Sequence, residues 1–232
     1  MKSKYLPHPI TLFISLSIFT IMLSWIGSIY KWQGVQNLLS SENLRWILTH
    51  ASTDFFGQKF VTHSFFLAMG IGTVLHSGLY ATIVRQWTGK ARLTHKERRA
   101  LWTMLIGCIF YFGILSALLL LSKDLFYNIW GGWENSPFSY SAVFLLAQGI
   151  SLSSILFGFT MDRYRSGKDV FAGISFGLQQ TSPFFTIYFF ISFFFLLEDR
   201  AGIFLFFSLT ETIVFVLKVV CIIASTYLIY KK

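Results

Sequence analysis

Apolar residues in this chain gather in long blocks, not in the short stripes of a soluble protein. Six blocks stand out: Ile10–Tyr30, Phe60–Val84, Ala100–Leu121, Ser139–Met161, Phe171–Leu197 and Ala201–Tyr230. At about 1.5 Å per residue, the first block reaches roughly 31 Å, and a bilayer hydrocarbon core is about 30 Å thick. The pattern predicts an all-α integral membrane protein with about six transmembrane helices, read as one transmembrane domain over residues 1–232. The first block exceeds the usual signal-peptide core of about 7–15 residues and no A-x-A-like site follows it, so it reads as a span.

Two connecting segments carry a pattern of their own. In the first external loop a serine at Ser40-Ser41 is placed to cap a helix, and Leu44, Ile47, Leu48 and Ala51 then share one face. This predicts a short interfacial amphipathic helix with Trp46 at headgroup depth. The third loop, Lys123 to Phe138, carries Trp130 and Trp133 around Gly131-Gly132, the aromatic composition of a membrane-interface belt.

Composition agrees with the blocks. Hydrophobic residues make up 54% and charged residues only 12%, too few to cover the surface of a soluble domain. The net charge of +9 would raise nucleic-acid binding in a soluble protein. Here the basic residues lie in short loops, so they read as topology signals, and the expected partner is the lipid bilayer rather than nucleic acid. Thirteen Lys and Arg fall on the side that includes Lys2, Lys4, the loop from Arg85 to Arg99, the turn Arg163–Lys168, Lys231 and Lys232, against five on the other. The positive-inside rule then places both termini on the cytoplasmic side of the inner (cytoplasmic) membrane, in a multi-pass arrangement. Cys108 and Cys221 stand alone inside apolar blocks, without metal or redox spacing. His8, His50, His63, His76 and His95 show no metal-ligand spacing either, so no metal and no cofactor is expected.

Gly173-Ile174-Ser175-Phe176-Gly177 matches the G-x-S-x-G elbow of hydrolases, which requires a strand before it and a histidine beside the serine. The stretch lies in a helix-period block and every histidine lies in the first 95 residues. No nucleophile–base pair is recognisable, and the chain is not read as an enzyme. The same residues form Gly-x-x-x-Gly, a close-packing device between membrane helices, and Gly70 and Gly72 read the same way. Glu211 and Lys218 fall inside the last block, where a charge costs about 2.5–3.5 kcal/mol on insertion scales, so each is expected to face protein or water. Gln179-Gln180-Thr181-Ser182-Pro183 is the most polar stretch within a block. Pro183 withholds a donor from the Gln179 carbonyl, and the stretch reads as a kink or as the interrupted helix of a transport site.

Several segments are similar to the p-aminobenzoyl-glutamate transporter (AbgT) family. Pro7-His8-Pro9-Ile10-Thr11-Leu12-Phe13 resembles the family's opening. Val35-Gln36-Asn37-Leu38-Leu39-Ser40-Ser41-Glu42-Asn43-Leu44-Arg45-Trp46 resembles its NLLS-x-E-G-L-x-W stretch. Ala68-Met69-Gly70-Ile71-Gly72 followed by Ser77-Gly78-Leu79 resembles its L-G-x-G-L-x-E-x-x-G-L helix, although Thr73 and Val74 depart from small or apolar positions and His76 or its neighbour stands where the family has an acid. Residues 1–85 thus resemble the family's N-terminal helices. Residues 92–200, from Leu93-Thr94-His95-Lys96-Glu97-Arg98-Arg99-Ala100-Leu101 through Ser136-Pro137-Phe138 and Asp162-Arg163-Tyr164-Arg165, resemble its central ones. The resemblance implies an elevator-type framework: a dimerising scaffold and a moving part of two polar hairpins. The hairpin motifs that bind substrate and coupling ion have no counterpart here, so no substrate residue carries over. What it implies is a transporter-related scaffold associated with movement of small organic anions, of the p-aminobenzoyl-glutamate type. Such a scaffold is not transport-competent alone and forms a homo-oligomer (a dimer) or seats another membrane protein. The alternatives are a non-transporting membrane assembly subunit and a six-helix substrate-capture component of a vitamin importer. The absence of Ala from Ile10–Tyr30, with Gly27 its single glycine, argues against the last.

Overall fold

The computed structural model describes residues 8–89, 92–122, 126–128 and 130–230, without the side chains of Ser52 and Asp54. Pro7 of the opening motif and Lys2, Lys4, Lys90, Lys123, Lys231 and Lys232 of the charge pattern lie outside the described residues. The described elements are helical: α1 (Pro9–Ile29), α2 (Ser41–Phe56), α3 (Lys59–His76), α4 (Leu79–Trp87), α5 (His95–Leu121), α6 (Pro137–Thr160), α7 (Gly167–Ala201), α8 (Ile203–Phe206) and α9 (Glu211–Tyr230). Helices α1, α5, α6, α7 and α9 are each long and apolar enough to cross a membrane, and α3 with α4 forms a sixth, bent candidate. The protein is an all-α membrane protein of about six spans.

Two blocks differ from continuous rods. Phe60–Val84 breaks at Ser77–Gly78, where Gly78 takes φ +79°, and α4 leaves α3 at 67°. Only a residue without Cβ adopts that backbone without strain. The last block also divides. Gly202 at φ +73° ends α7, α8 makes one turn, and Ser208 at φ +54° precedes the start of α9. Conversely, the block holding Pro183 does not break: α7 runs 35 residues through it.

The chain divides into two compact units, Met1–Val61 with Ser182–Lys232, and Thr62–Thr181. In the first, α1 buries Phe13, Ser17, Thr20, Ser24 and Gly27, a single stripe at helical spacing made almost entirely of small or hydroxyl residues. Thr20 donates to the Leu16 carbonyl (3.0 Å) and to the Glu198 carboxyl, and Ser24 Oγ accepts the Leu38 N–H at 2.7 Å. Phe13 packs with Ile187, Ile191 and Phe195 of α7, and Val214, Cys221 and Ile222 of α9 close over them. Ser40 caps α2 by accepting the Asn43 N–H at 3.3 Å. The inward side of α2 is Asn43, Ile47 and Phe55, with Leu44 and Leu48 outward, so the expected apolar face is split between protein and exterior. Arg200 fixes this helix, donating to Asn43 Oδ1 at 2.8 Å with its guanidinium 4.7 Å from the centre of the Trp46 ring.

In the second unit α3 and α7 meet at their glycines. A methyl group on Gly72 would strike the Gly177 backbone, and one on Gly177 would strike the Ala68 carbonyl. Gly70 faces Ala147 of α6, and Gly173 makes room for the Tyr164 hydroxyl. Tyr164 comes from the loop after α6, is fully buried and stacks on His76 with ring centres 5.7 Å apart. Burial raises the Tyr164 phenol above its ordinary pKa. Helix α5 starts with a reciprocal cap, Thr94 and Glu97 each holding the other's backbone N–H, while Arg85 pairs with Glu97. Lys96 pairs with Asp162 and, by that bond first, holds its carboxyl below the ordinary aspartate value. Before α6, Asn128 Oδ1 accepts the N–H groups of Trp130 (3.0 Å) and Gly132 (2.7 Å), a tight turn that leaves Trp130 exposed.

Candidate functional site

Helix α9 presents one stripe to the first unit: Val214, Lys218, Cys221, Ile222, Ser225 and Ile229. These positions recur every three to four residues, so Lys218 is carried inward by the same periodicity that buries its apolar neighbours. There it lines a cavity of about 470 Å³. Its ammonium lies 6.0 Å from the centre of the Tyr188 ring, within the range of a cation–π attraction. Among the described residues no acid makes an ion pair with it.

The walls are mainly aromatic, with Phe55 from α2, Phe189, Phe193 and Phe195 from α7, and Phe204 and Phe215 from the α8–α9 end. The polar groups are few. Tyr188 donates its hydroxyl to Gln58 Oε1, which orients the Gln58 side chain at the cavity and leaves its amide nitrogen as a donor. The Tyr188 oxygen can still accept a hydrogen bond, and the Ser192 hydroxyl lies close enough to donate to it. Ser192, 8% exposed, lines the cavity beside Tyr188 and can turn its hydroxyl toward either the phenol oxygen or a bound group. Asp199 and Glu211 also line the cavity and are exposed, at the end where α7 and α9 are joined. An apolar chamber with a few convergent polar groups is the usual form of a small-molecule site.

The residues singled out by sequence are distributed unevenly. Lys218 and Glu211 line the same cavity. Glu211, however, is the first residue of α9 and not deep within a span, because the chain turns at Ser208 before the helix begins. Gln179, Gln180, Ser182 and Pro183 are exposed on α7 and line none of the cavities described. Thr181 donates to the Gly177 carbonyl at 2.8 Å, not to the Gln179 carbonyl that Pro183 deprives of a donor. The five-residue stretch is therefore not gathered into a site. Glu198 escaped the sequence reading because it follows the fifth block directly. The stripe Ser17, Thr20, Ser24 in the first block was the signal that something polar lay opposite. Among the described residues no group of three metal-binding side chains forms.

No family model, curated protein or solved structure matches this chain.

Proposed function

We propose that this protein is a transporter-related membrane scaffold that binds a small organic carboxylate through Lys218. The observation carrying this reading is a lysine without an acid partner, held inward on a spanning helix and facing an aromatic cavity. A charge so placed is expensive unless something of opposite sign meets it. The carboxylate is the group that would do so, with Ser192 and Gln58 as neutral donors beside it. The likeness of residues 1–85 and 92–200 to AbgT transporters supports the framework half of the proposal. The missing hairpin motifs support a chain that binds but does not carry its ligand across alone.

The placement proposed is the inner membrane with both ends cytoplasmic, supported by the Lys and Arg asymmetry of the loops. A second copy, giving a dimer, or another membrane protein would supply the transport function. What favours a partner is α5, which packs on α6 along one side while no residue of its most apolar stretch is fully buried.

The test is binding of labelled octanoate to the full chain in nanodiscs, alongside p-aminobenzoyl-glutamate uptake into proteoliposomes. Octanoate should bind, Lys218→Met should weaken it at least tenfold, and the lone chain should show no uptake. Equal binding by Lys218→Met removes the ligand reading. Robust uptake by the lone chain removes the scaffold reading. Light scattering of the nanodisc-free particle at two concentrations reports whether two chains associate.

A further inference from the structure

The cavity beside Lys218 is not electrically uniform, and its polarity selects among carboxylates. Helices α7 and α9 flank it and run in opposite directions, joined through Gly202–Thr210. Val214 packs in the Phe195 cluster, Ile222 in that cluster and in the Tyr188 one, and the Lys218 ammonium lies 6.0 Å from the centre of the Tyr188 ring. Ser192, one helical turn from Tyr188, therefore lies within about a turn of the lysine head. Asp199 lies seven residues beyond Ser192, and Glu211 seven residues before Lys218. Both steps lead toward the connection. At about 1.5 Å of rise per residue, each acid stands roughly 10 Å from the lysine level, at the same end of the cavity. Along α7 and α9 between the two levels the lining is Phe193, Phe195, Leu196, Val214 and Phe215, with no charged side chain among them.

From this geometry we propose that the cavity takes a zwitterion, with a carboxylate at Lys218, Ser192 and Gln58 and an ammonium or other cation about 10 Å away between Asp199 and Glu211. The apolar spacer between the two charges lies along the phenylalanines. This inference rests on the binding reading above and sharpens it to a substrate class. Two acids lining one end repel a ligand with a second carboxylate there, and they leave a purely apolar tail with unanswered charge beside it. A dicarboxylate such as p-aminobenzoyl-glutamate thus has the wrong charge pattern for this chamber, whatever its fit in size. Ser192 adds a buried hydroxyl at the lysine end, beside the Tyr188 oxygen, able to turn toward a carboxylate there.

Three ligands of one length separate the possibilities: 8-aminooctanoate, octanoate and octanedioate share an eight-carbon chain and differ only at the far end. Affinities are measured on the full chain in nanodiscs by equilibrium binding, for the parent, Lys218→Met and the double variant Asp199→Asn/Glu211→Gln. The expected order is 8-aminooctanoate first by at least tenfold, then octanoate, then octanedioate. The double variant should erase the advantage of the amino ligand and leave octanoate bound as before or more tightly. Both of its substitutions are isosteric and at exposed positions, and unchanged octanoate binding shows that the variant is folded. Octanedioate or octanoate binding as tightly as 8-aminooctanoate overturns the zwitterion proposal. If Lys218→Met still weakens all three, the carboxylate reading stands without it. If Lys218→Met changes none of them, both readings fall together.

Discussion

The pairing of Thr20 with Glu198 offers the sharpest energetic test of how the first unit is held. Thr20 is 0% and Glu198 7% exposed, so both groups depend on partners within the protein. Thr20→Val keeps the shape and removes the hydroxyl that donates to the carboxyl. A buried polar group left unsatisfied costs about 1–3 kcal/mol in soluble proteins. Interhelical hydrogen bonds in membrane proteins average only about 0.6 kcal/mol, with a maximum near 1.7. Full burial and an acidic acceptor place this bond at the upper end, so a loss of about 1.5 kcal/mol is expected. Glu198→Leu should cost less. It removes the acid, and the Thr20 hydroxyl still has the Leu16 carbonyl at 3.0 Å. The double variant should then resemble Glu198→Leu, giving a coupling of about 1–2 kcal/mol between the sites. Unfolding by SDS titration in mixed micelles measures this, and the free thiols Cys108 and Cys221, each half-buried, provide a second readout by labelling. If Thr20→Val costs the same with and without Glu198, the bond contributes nothing and the helices are held by packing alone.

Four further outcomes follow from the fold. Gly177→Ala, which drives a methyl into the Ala68 carbonyl, should destabilise by about 1–3 kcal/mol. Gly113→Ala, which meets open space on α5, should be neutral or raise the unfolding midpoint through helix propensity. Pro183→Ala restores a donor in the middle of α7 and should raise the midpoint without weakening octanoate binding, since Pro183 lines no part of the cavity. Lys96 holds the Asp162 carboxyl below its ordinary pKa. The stabilisation from the pair is therefore present above the unfolded aspartate value and is lost as pH falls through the lowered one. Carbon-13 titration of Asp162 should show Lys96→Met returning its midpoint toward the ordinary value, with no effect on stability at neutral pH beyond that of a surface pair.

Much of the architecture was visible in the order of residues, for a physical reason. Spanning a bilayer requires long uninterrupted apolar helix, and length with composition is a property that sequence displays directly. The Ser40 cap and the glycines of α3 and α7 were visible on similar grounds, since each role is tied to a residue type. The breaks were not. Hydropathy is blind to a left-handed backbone, so Ser77–Gly78 and Phe207–Thr210 were absorbed into apolar blocks, and with them the true depth of Glu211. At Pro183 the helix continues, so the stretch is not an interrupted helix. Lys218 could be flagged as costly, but its neighbours Ser192, Gln58 and Tyr188 come from three distant stretches and only the fold assembles them.

The bend at Gly78 also sets how much membrane this part of the chain can match. Drawn as one straight rod, α3 and α4 with their two linking residues would extend about 43 Å, far more than the hydrocarbon layer. Turned by 67°, α4 adds only about 5 Å along the direction of α3, whose own length is about 27 Å, for a projection near 32 Å. The glycine therefore works as a length adjuster that relieves hydrophobic mismatch without tilting the helix. Its left-handed backbone strains a residue that carries a Cβ, and a Cβ there would also have to displace the Arg163 guanidinium. Straightening the bend would force the excess into tilt or a locally thickened bilayer, which makes the sorting of this protein among membranes of different thickness a property of one residue.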